Sequence, residues 1–211
     1  VLGVDKFAAA IIATGEGYAD ALPGSYLAYV KKAPIILTKD KDKYIKLAVD
    51  YVKENVEKDG TVYILGGEKV VPTIVDEQLK AAGFTVERLA GANKYKTNVE
   101  ILKAAGVDGG EILVATGESY ADSLSASATG KPILMIKGKL YDEQIEFFGT
   151  LKDAKFQILG GTSAVTAEMV ELLEPYGTIG DRIAGSKARE TSVEIAKKYF
   201  EDPTAAVIAY A

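Results

Sequence analysis

The sequence predicts an α/β protein made of two similar units in tandem, each a three-layer sandwich around a mostly parallel sheet. Three observations carry this. First, a decapeptide occurs twice, ATGEGYADAL over residues 13–22 and ATGESYADSL over 115–124, with eight of ten positions matching. Second, further matches follow in the same order: PIIL (34–37) with PILM (132–135), YILGG (63–67) with QILGG (157–161), and RLAGANKYKTNVEI (88–101) with RIAGSKARETSVEI (182–195). The offset shrinks from 102 to 98 to 94 residues, as short loop deletions would make it. Third, short apolar runs such as IIAT, PIIL and VYIL lack polar alternation and are separated by amphipathic stretches. Parallel strands covered on both faces read this way, and strand–helix alternation gives right-handed crossovers.

In chain order, the apolar runs place strands near 10–14, 33–37, 61–65 and 84–89, with amphipathic helices near 18–30, 42–56, 72–82 and 95–105. The second copy gives strands near 111–115, 131–136, 154–159 and 178–183, and helices near 119–128, 141–151, 166–175 and 189–200. Gly15 and Gly117 end their strands in tight turns. Pro72 suits the start of one helix and Thr166 the cap of another. Each copy, at roughly 95–100 residues, is large enough for its own core, unlike solenoid units of about 20–45. The expected division is 1–103, 104–203 and the start of a third copy at 204–211. There, Ala206 to Ala209 (AVIA) sits where Ile112 to Ala115 (ILVA) sits in copy two, and LGVD (2–5) corresponds to AGVD (105–108). The chain therefore reads as a stretch of a longer array.

Composition narrows the chemistry. The 211 residues are 48% hydrophobic and 26% charged, ordinary for a globular protein with a sizeable core. A net charge of −5 gives no sign of a nucleic-acid partner. No Cys and no His remove thiol nucleophiles, thiolate or imidazole metal sites, disulfides and the usual general base. No cofactor or metal is expected, and any metal would be a hard cation on oxygen ligands. No apolar run approaches the ~20 residues of a membrane span, so no membrane insertion is expected. The chain begins VLGVDKF without Met, so a trimmed N-terminus is expected and a missing signal peptide says nothing.

Three motifs carry candidate chemistry. In TGExYAD, Thr14, Gly15, Glu16 and Asp20 (Thr116, Gly117, Glu118 and Asp122 in copy two) follow a buried strand, where open α/β sheets bind ligands. The carboxylates would hold Mg²⁺ or act as an acid–base pair; alternatively they cap a helix N-terminus or make contacts between repeats. In LGG, Gly66 and Gly67 (Gly160 and Gly161) offer backbone N–H groups to an anion or simply turn the chain. In R-[LI]-A-G, Arg88 and Gly91 precede Lys94, Tyr95 and Lys96, while Arg182 and Gly185 precede Lys187 and Arg189. These basic turns would bind carboxylate or phosphate, or the arginines cap strand-end carbonyls or pair with the acidic TGE loop.

Together and in this order, the motifs resemble the cell wall binding repeat type 2 family of surface-layer and cell wall proteins of clostridia and relatives. The resemblance covers nearly the whole chain. It implies Toprim-like units that occur in threes, and a secreted, non-catalytic module that anchors its protein to a Gram-positive cell wall by binding an anionic secondary wall polymer. Any enzyme activity would lie in a separate domain. Where the family commonly shows Asp-Arg-Tyr after the AG turn, copy one has Asn93-Lys94-Tyr95 and copy two Lys187-Ala188-Arg189, so the two turns are not expected to bind equally. Two full copies leave surfaces uncovered, so self-association is expected. The alternatives are a Mg-dependent phosphoester enzyme using Glu16/Asp20 and Glu118/Asp122, and a purely structural self-assembly domain.

Overall fold

The computed structural model describes residues 6–206. The chain divides between Val107 and Asp108 into two compact units. The first runs β1 (Phe7–Thr14), α1 (Gly24–Lys31), β2 (Ile35–Thr38), α2 (Asp42–Asn55), β3 (Val56–Leu65), α3 (Thr73–Ala81), β4 (Thr85–Leu89) and α4 (Lys94–Ala104). The second runs β5 (Gly109–Thr116), α5 (Ala121–Ala126), β6 (Ile133–Ile136), α6 (Asp142–Phe148), β7 (Lys152–Ile158), α7 (Ala167–Glu171), β8 (Thr178–Ile179) and α8 (Ala188–Tyr199).

Each unit holds a four-stranded sheet, ordered β2-β1-β3-β4 and β6-β5-β7-β8, and every strand pair is parallel. The winding moves outward from β1 to β2, then crosses back over β1 to β3. With right-handed crossovers, that reversal sends helices to opposite faces of the sheet. Strand alternation shows the result. Ala10, Ile12, Val62 and Ile64 pack in one cluster with Ile45, Val49 and Val52 of α2 and with Val75 and Leu79 of α3. Leu65, on the opposite face of β3, lies against α1 so closely that a Cβ on Gly24 would overlap it, and α1 contacts α4. In the second unit, Leu113, Leu159 and Ile183 pack with Ala126 of α5 and Ile195 of α8. Phe148 of α6 and Phe156 of β7 meet at 5.9 Å between ring centroids. The central strands are buried end to end where they enter these layers, which is why their sequences carry no polar alternation.

Besides shifts at element ends, such as β3 beginning at Val56 rather than 61 and α6 ending at Phe148 rather than 151, three elements differ in kind from the sequence expectation. The helix expected from residue 18 starts at Gly24, because residues 18–23 form turns closed by Leu22 N–H to the Tyr18 carbonyl (3.1 Å) and Gly24 N–H to the Asp20 carbonyl (3.1 Å). The helix expected over 166–175 ends at Glu171 and gives way to a 3₁₀ turn over Glu174–Tyr176 that contains Pro175. The strand expected over 178–183 is two residues long, followed by an isolated bridge between Leu159 and Ile183. Between them, the buried Gln157 amide donates to the Asp181 carbonyl and accepts from Lys198 Nζ at 2.7 Å, standing in for ladder bonds. Of the residues read as the beginning of a third copy, 204–206 are described, while 207–211 and the LGVD segment at 2–5 lie outside the described residues.

Candidate functional site

The three motifs converge at the carboxyl edge of each sheet. In the first unit, TGExYAD follows β1, LGG follows β3 and RLAG follows β4, and β1 and β3 flank the point where the winding reverses. Loops at such a point splay apart and leave a crevice. Here it is a cleft of about 760 Å³, lined among others by Thr14, Glu16, Asp20, Gly67, Lys69 and Lys94, within the ~300–1,000 Å³ usual for ligand sites.

The TGE turn is fixed by its threonine. Thr14 Oγ1 accepts from Glu16 N–H at 3.1 Å, and Thr116 Oγ1 from Glu118 N–H at 3.2 Å. Gly15 N–H donates to the Thr38 carbonyl (2.7 Å) and Gly117 N–H to the Ile136 carbonyl (3.0 Å), tying the turn to the neighbouring strand. Glu16 and Glu118 are thereby left exposed. Asp20 and Asp122 instead are only 7% and 8% exposed. The reading of these carboxylates as helix caps is corrected: α1 and α5 are preceded by Pro23 and Tyr120, and neither helix has a side-chain cap. Glu16 is not helical, so it shares no helix face with Asp20. Among the described residues no cluster of three or more Asp or Glu side chains suited to a metal ion occurs.

Each buried aspartate lies against the first glycine of LGG. Gly66 has φ +100°, and a Cβ there would come 2.7 Å from Asp20 Oδ2; Gly160 has φ +87°, and its Cβ would overlap Asp122 Oδ2. Only glycine satisfies both the left-handed backbone and the close approach. Burial pushes the carboxyls of Asp20 and Asp122 above the ordinary aspartate value of 3.8.

The basic turns separate into framework and surface. Arg88 donates to the Gly66 carbonyl (2.8 Å) and forms a bidentate pair with Asp76 of α3. Arg182 donates to the carbonyls of Gly160 (2.7 Å) and Val165 (2.8 Å), and burial pulls its guanidinium below its ordinary value. Both arginines are thus engaged as strand-end clamps. Gly91 and Gly185 leave no room for a Cβ, which would overlap Lys96 and Glu190, and their N–H groups donate to Thr97 and Thr191 Oγ1, each at 3.0 Å. Tyr95 is 2% exposed, a core ring rather than a surface contact. Lys94 and Lys96 are half-buried, and Lys187 and Arg189 are exposed.

The copies then diverge. Asn93 caps α4 by accepting from Tyr95 N–H (3.0 Å) and Lys96 N–H (3.1 Å). Lys187 offers α8 no such cap; Glu190 instead reaches back to Ser186 N–H at 2.8 Å, and hydrogen bonds from Ser186 hold its carboxyl below the ordinary value. The cleft lysines Lys69 and Lys94 correspond to Ser163 and Ala188. Lys69, Asp76 and the Asn93 cap stand outside the sequence expectations. Asn immediately before a helical pattern was a readable signal for the cap; Lys69, two residues beyond LGG, and Asp76 carried none until the fold brought them to the edge.

A family model described as Cell wall binding domain 2 (CWB2) matches residues 2–76 and 88–170. Among curated proteins, the chain is 31% identical over 196 residues to N-acetylmuramoyl-L-alanine amidase LytC of Bacillus subtilis, covering 90% of this chain and 38% of that protein. It is 28% identical to the Amidase enhancer of the same organism, over 76% of this chain and 22% of that one. The chain thus spans well under half the length of these relatives. Among solved structures it superposes on Cwp8 of Clostridium difficile with a TM-score of 0.83 and 26% identity, covering 94% of this chain and 34% of that one. Cwp6 of the same organism matches in fold, with a TM-score of 0.78, 21% identity, and 92% and 32% coverage.

Two predictions follow from the Asp–Gly contact. Gly66→Ala should destabilise the first unit by about 1–3 kcal/mol, whereas Gly67→Ala, whose Cβ would meet nothing within 4 Å, should change stability by less than about 0.5 kcal/mol; urea unfolding measures both. The raised Asp20 and Asp122 carboxyls bind protons more tightly folded than unfolded. Their stabilising protonation is fully present below pH 3.8 and is lost as pH rises through the folded value. Asp20→Asn should remove part of that downward slope and raise the melting temperature at neutral pH, read by calorimetry across a pH series.

Proposed function

The chain belongs to the Cell wall binding domain 2 family, and on that footing we propose that it is a non-catalytic module that holds a secreted surface protein on a Gram-positive envelope by binding an anionic cell wall polymer. A cell-wall-associated binding role follows from the family. The polymer's charge is our reading, and one observation carries it: the first unit has a cleft at the reversal of its sheet, where Lys69 and Lys94 stand beside Glu16, Asp20 and Glu68, so that ammonium groups are offered at discrete points for the spaced anionic groups of a glycan. Phosphate or carboxylate groups spaced along a glycan would meet these ammonium groups, while Lys96, Lys187 and Arg189 supply further cations at the turns. Arg88, Arg182, Gly91, Gly185 and Tyr95 serve by building the turns. The second unit, with Ser163 and Ala188 in place of the two lysines, binds more weakly. The activities named for the amidase and its enhancer belong to those longer proteins.

Self-association belongs to the same reading. Tyr44, Leu47 and Tyr51 stand at i, i+3 and i+7 on α2, exposed by 38%, 58% and 37%. Such a stripe covers itself by association.

Sedimentation with purified cell walls tests the first proposal. Binding should be strong at low salt and weaken as ionic strength rises. Lys69→Ala with Lys94→Ala should weaken it roughly tenfold, and Lys187→Ala with Arg189→Ala less than that. Absence of binding at low salt would sink the proposal. Light scattering should show a dimer that Leu47→Asp converts to monomer; a strict monomer throughout would rule out the association.

A further inference from the structure

The wall of the first unit's cleft carries both signs of charge, Lys69 and Lys94 with Glu16 and Glu68. The floor is Asp20, more than nine-tenths buried and lining the cleft. No described residue donates a hydrogen bond to its carboxyl. Nearby groups already have other partners: Gly66 N–H bonds the Leu89 carbonyl (2.9 Å), Gly91 N–H bonds Thr97 and the Asn93 side chain caps α4. Asp122 repeats the situation in the second unit, buried against Gly160 with no described donor. A carboxyl largely withdrawn from bulk water, with a remaining opening and no protein donor, accepts from whatever enters that opening. Its persistence in both copies of the fold, at the one edge where loops part, points to donors that arrive from outside.

The surroundings select those donors. Gly17, Ala19, Gly67, Gly91 and Ala92 line the approach, so little side-chain bulk stands between solvent and the carboxyl. Neighbouring hydroxyls on a saturated sugar ring offer two O–H donors to the two carboxyl oxygens, and each hydroxyl also accepts if the carboxyl is protonated. A hydroxylated ligand is therefore held in either protonation state, and more tightly by the ionised carboxylate. An ammonium ligand is held only by the ionised form. We propose that Asp20 is the hydroxyl acceptor of a saccharide subsite in the first unit, taking a neutral sugar residue of a glycan, with the lysines outside it facing the charged groups of the same chain. The assignment takes its ligand class from the wall-polymer reading but its place from the unpartnered carboxyl.

The test uses the whole chain and simple probes. Methyl glycosides of glucose, mannose, galactose and N-acetylglucosamine are titrated at millimolar concentrations, following the amide resonances of Asp20, Gly66 and Gly67. At least one glycoside should shift all three, while methylammonium should not. Asp20→Asn should weaken that glycoside about tenfold, the loss of a charge-assisted acceptor, and Asp122→Asn should leave it unchanged. Gly67→Leu, which adds a side chain to the cleft lining at a position where a Cβ meets nothing within 4 Å, should abolish the shifts with Asp20 left in place. No shift with any glycoside, equal binding by Asp20→Asn, or a response to methylammonium alone overturns the subsite. Wall binding without a glycoside response overturns the subsite and leaves the polymer proposal standing; a glycoside response without wall binding does the reverse.

Discussion

A single glycine in each unit, the first of LGG, joins all three repeated motifs. Gly66 donates its N–H to the Leu89 carbonyl at 2.9 Å, accepts Arg88 at 2.8 Å and lets the Asp20 carboxyl come against its α-carbon. Gly160 repeats this with Ile183 at 2.9 Å, Arg182 at 2.7 Å and Asp122. The ends of β1, β3 and β4 are thus tied at one point, on the side where the reversed winding would otherwise let their loops spread. The left-handed backbone and the contact with a carboxyl oxygen exclude any side chain there. The rest of the carboxyl edge, including the cleft, takes its shape from that node.

Around this shared node the two copies carry different surfaces. Both keep the threonine lock on the TGE turn, the threonine lock on the AG turn and the arginine clamp. They part where side chains reach solvent: Lys69 against Ser163, Lys94 against Ala188, an asparagine cap against a Ser186–Glu190 link. Buried contacts of high mutual dependence define the unit, and solvent-facing positions set what it meets. This is why the strongest sequence signature, ATGEGYADAL, describes a corner of the fold, with one residue of it, Asp20, also open to the cleft.

The arginines show the difference between reading a residue type and placing it. Arg88 and Arg182 sit in a basic stretch and read as anion ligands or as clamps. The fold gives each of them carbonyls at strand ends, and gives Arg88 a carboxylate, Asp76, from a helix twelve residues away. Tyr95 followed the same course into the core.

The sequence by itself determined the α/β class, the duplication, most strands and helices, and the family resemblance. These depend on hydrophobic periodicity, turn residues and repeated order, which are local or comparative properties of a string. It did not determine that β1 sits between β2 and β3, that Asp20 is buried while Glu16 is exposed, or that Lys69 and Lys94 share a cleft. Those are outcomes of strand order and of which loops the winding brings to one edge. Segments about twenty to seventy residues apart meet there, and no local pattern records the meeting.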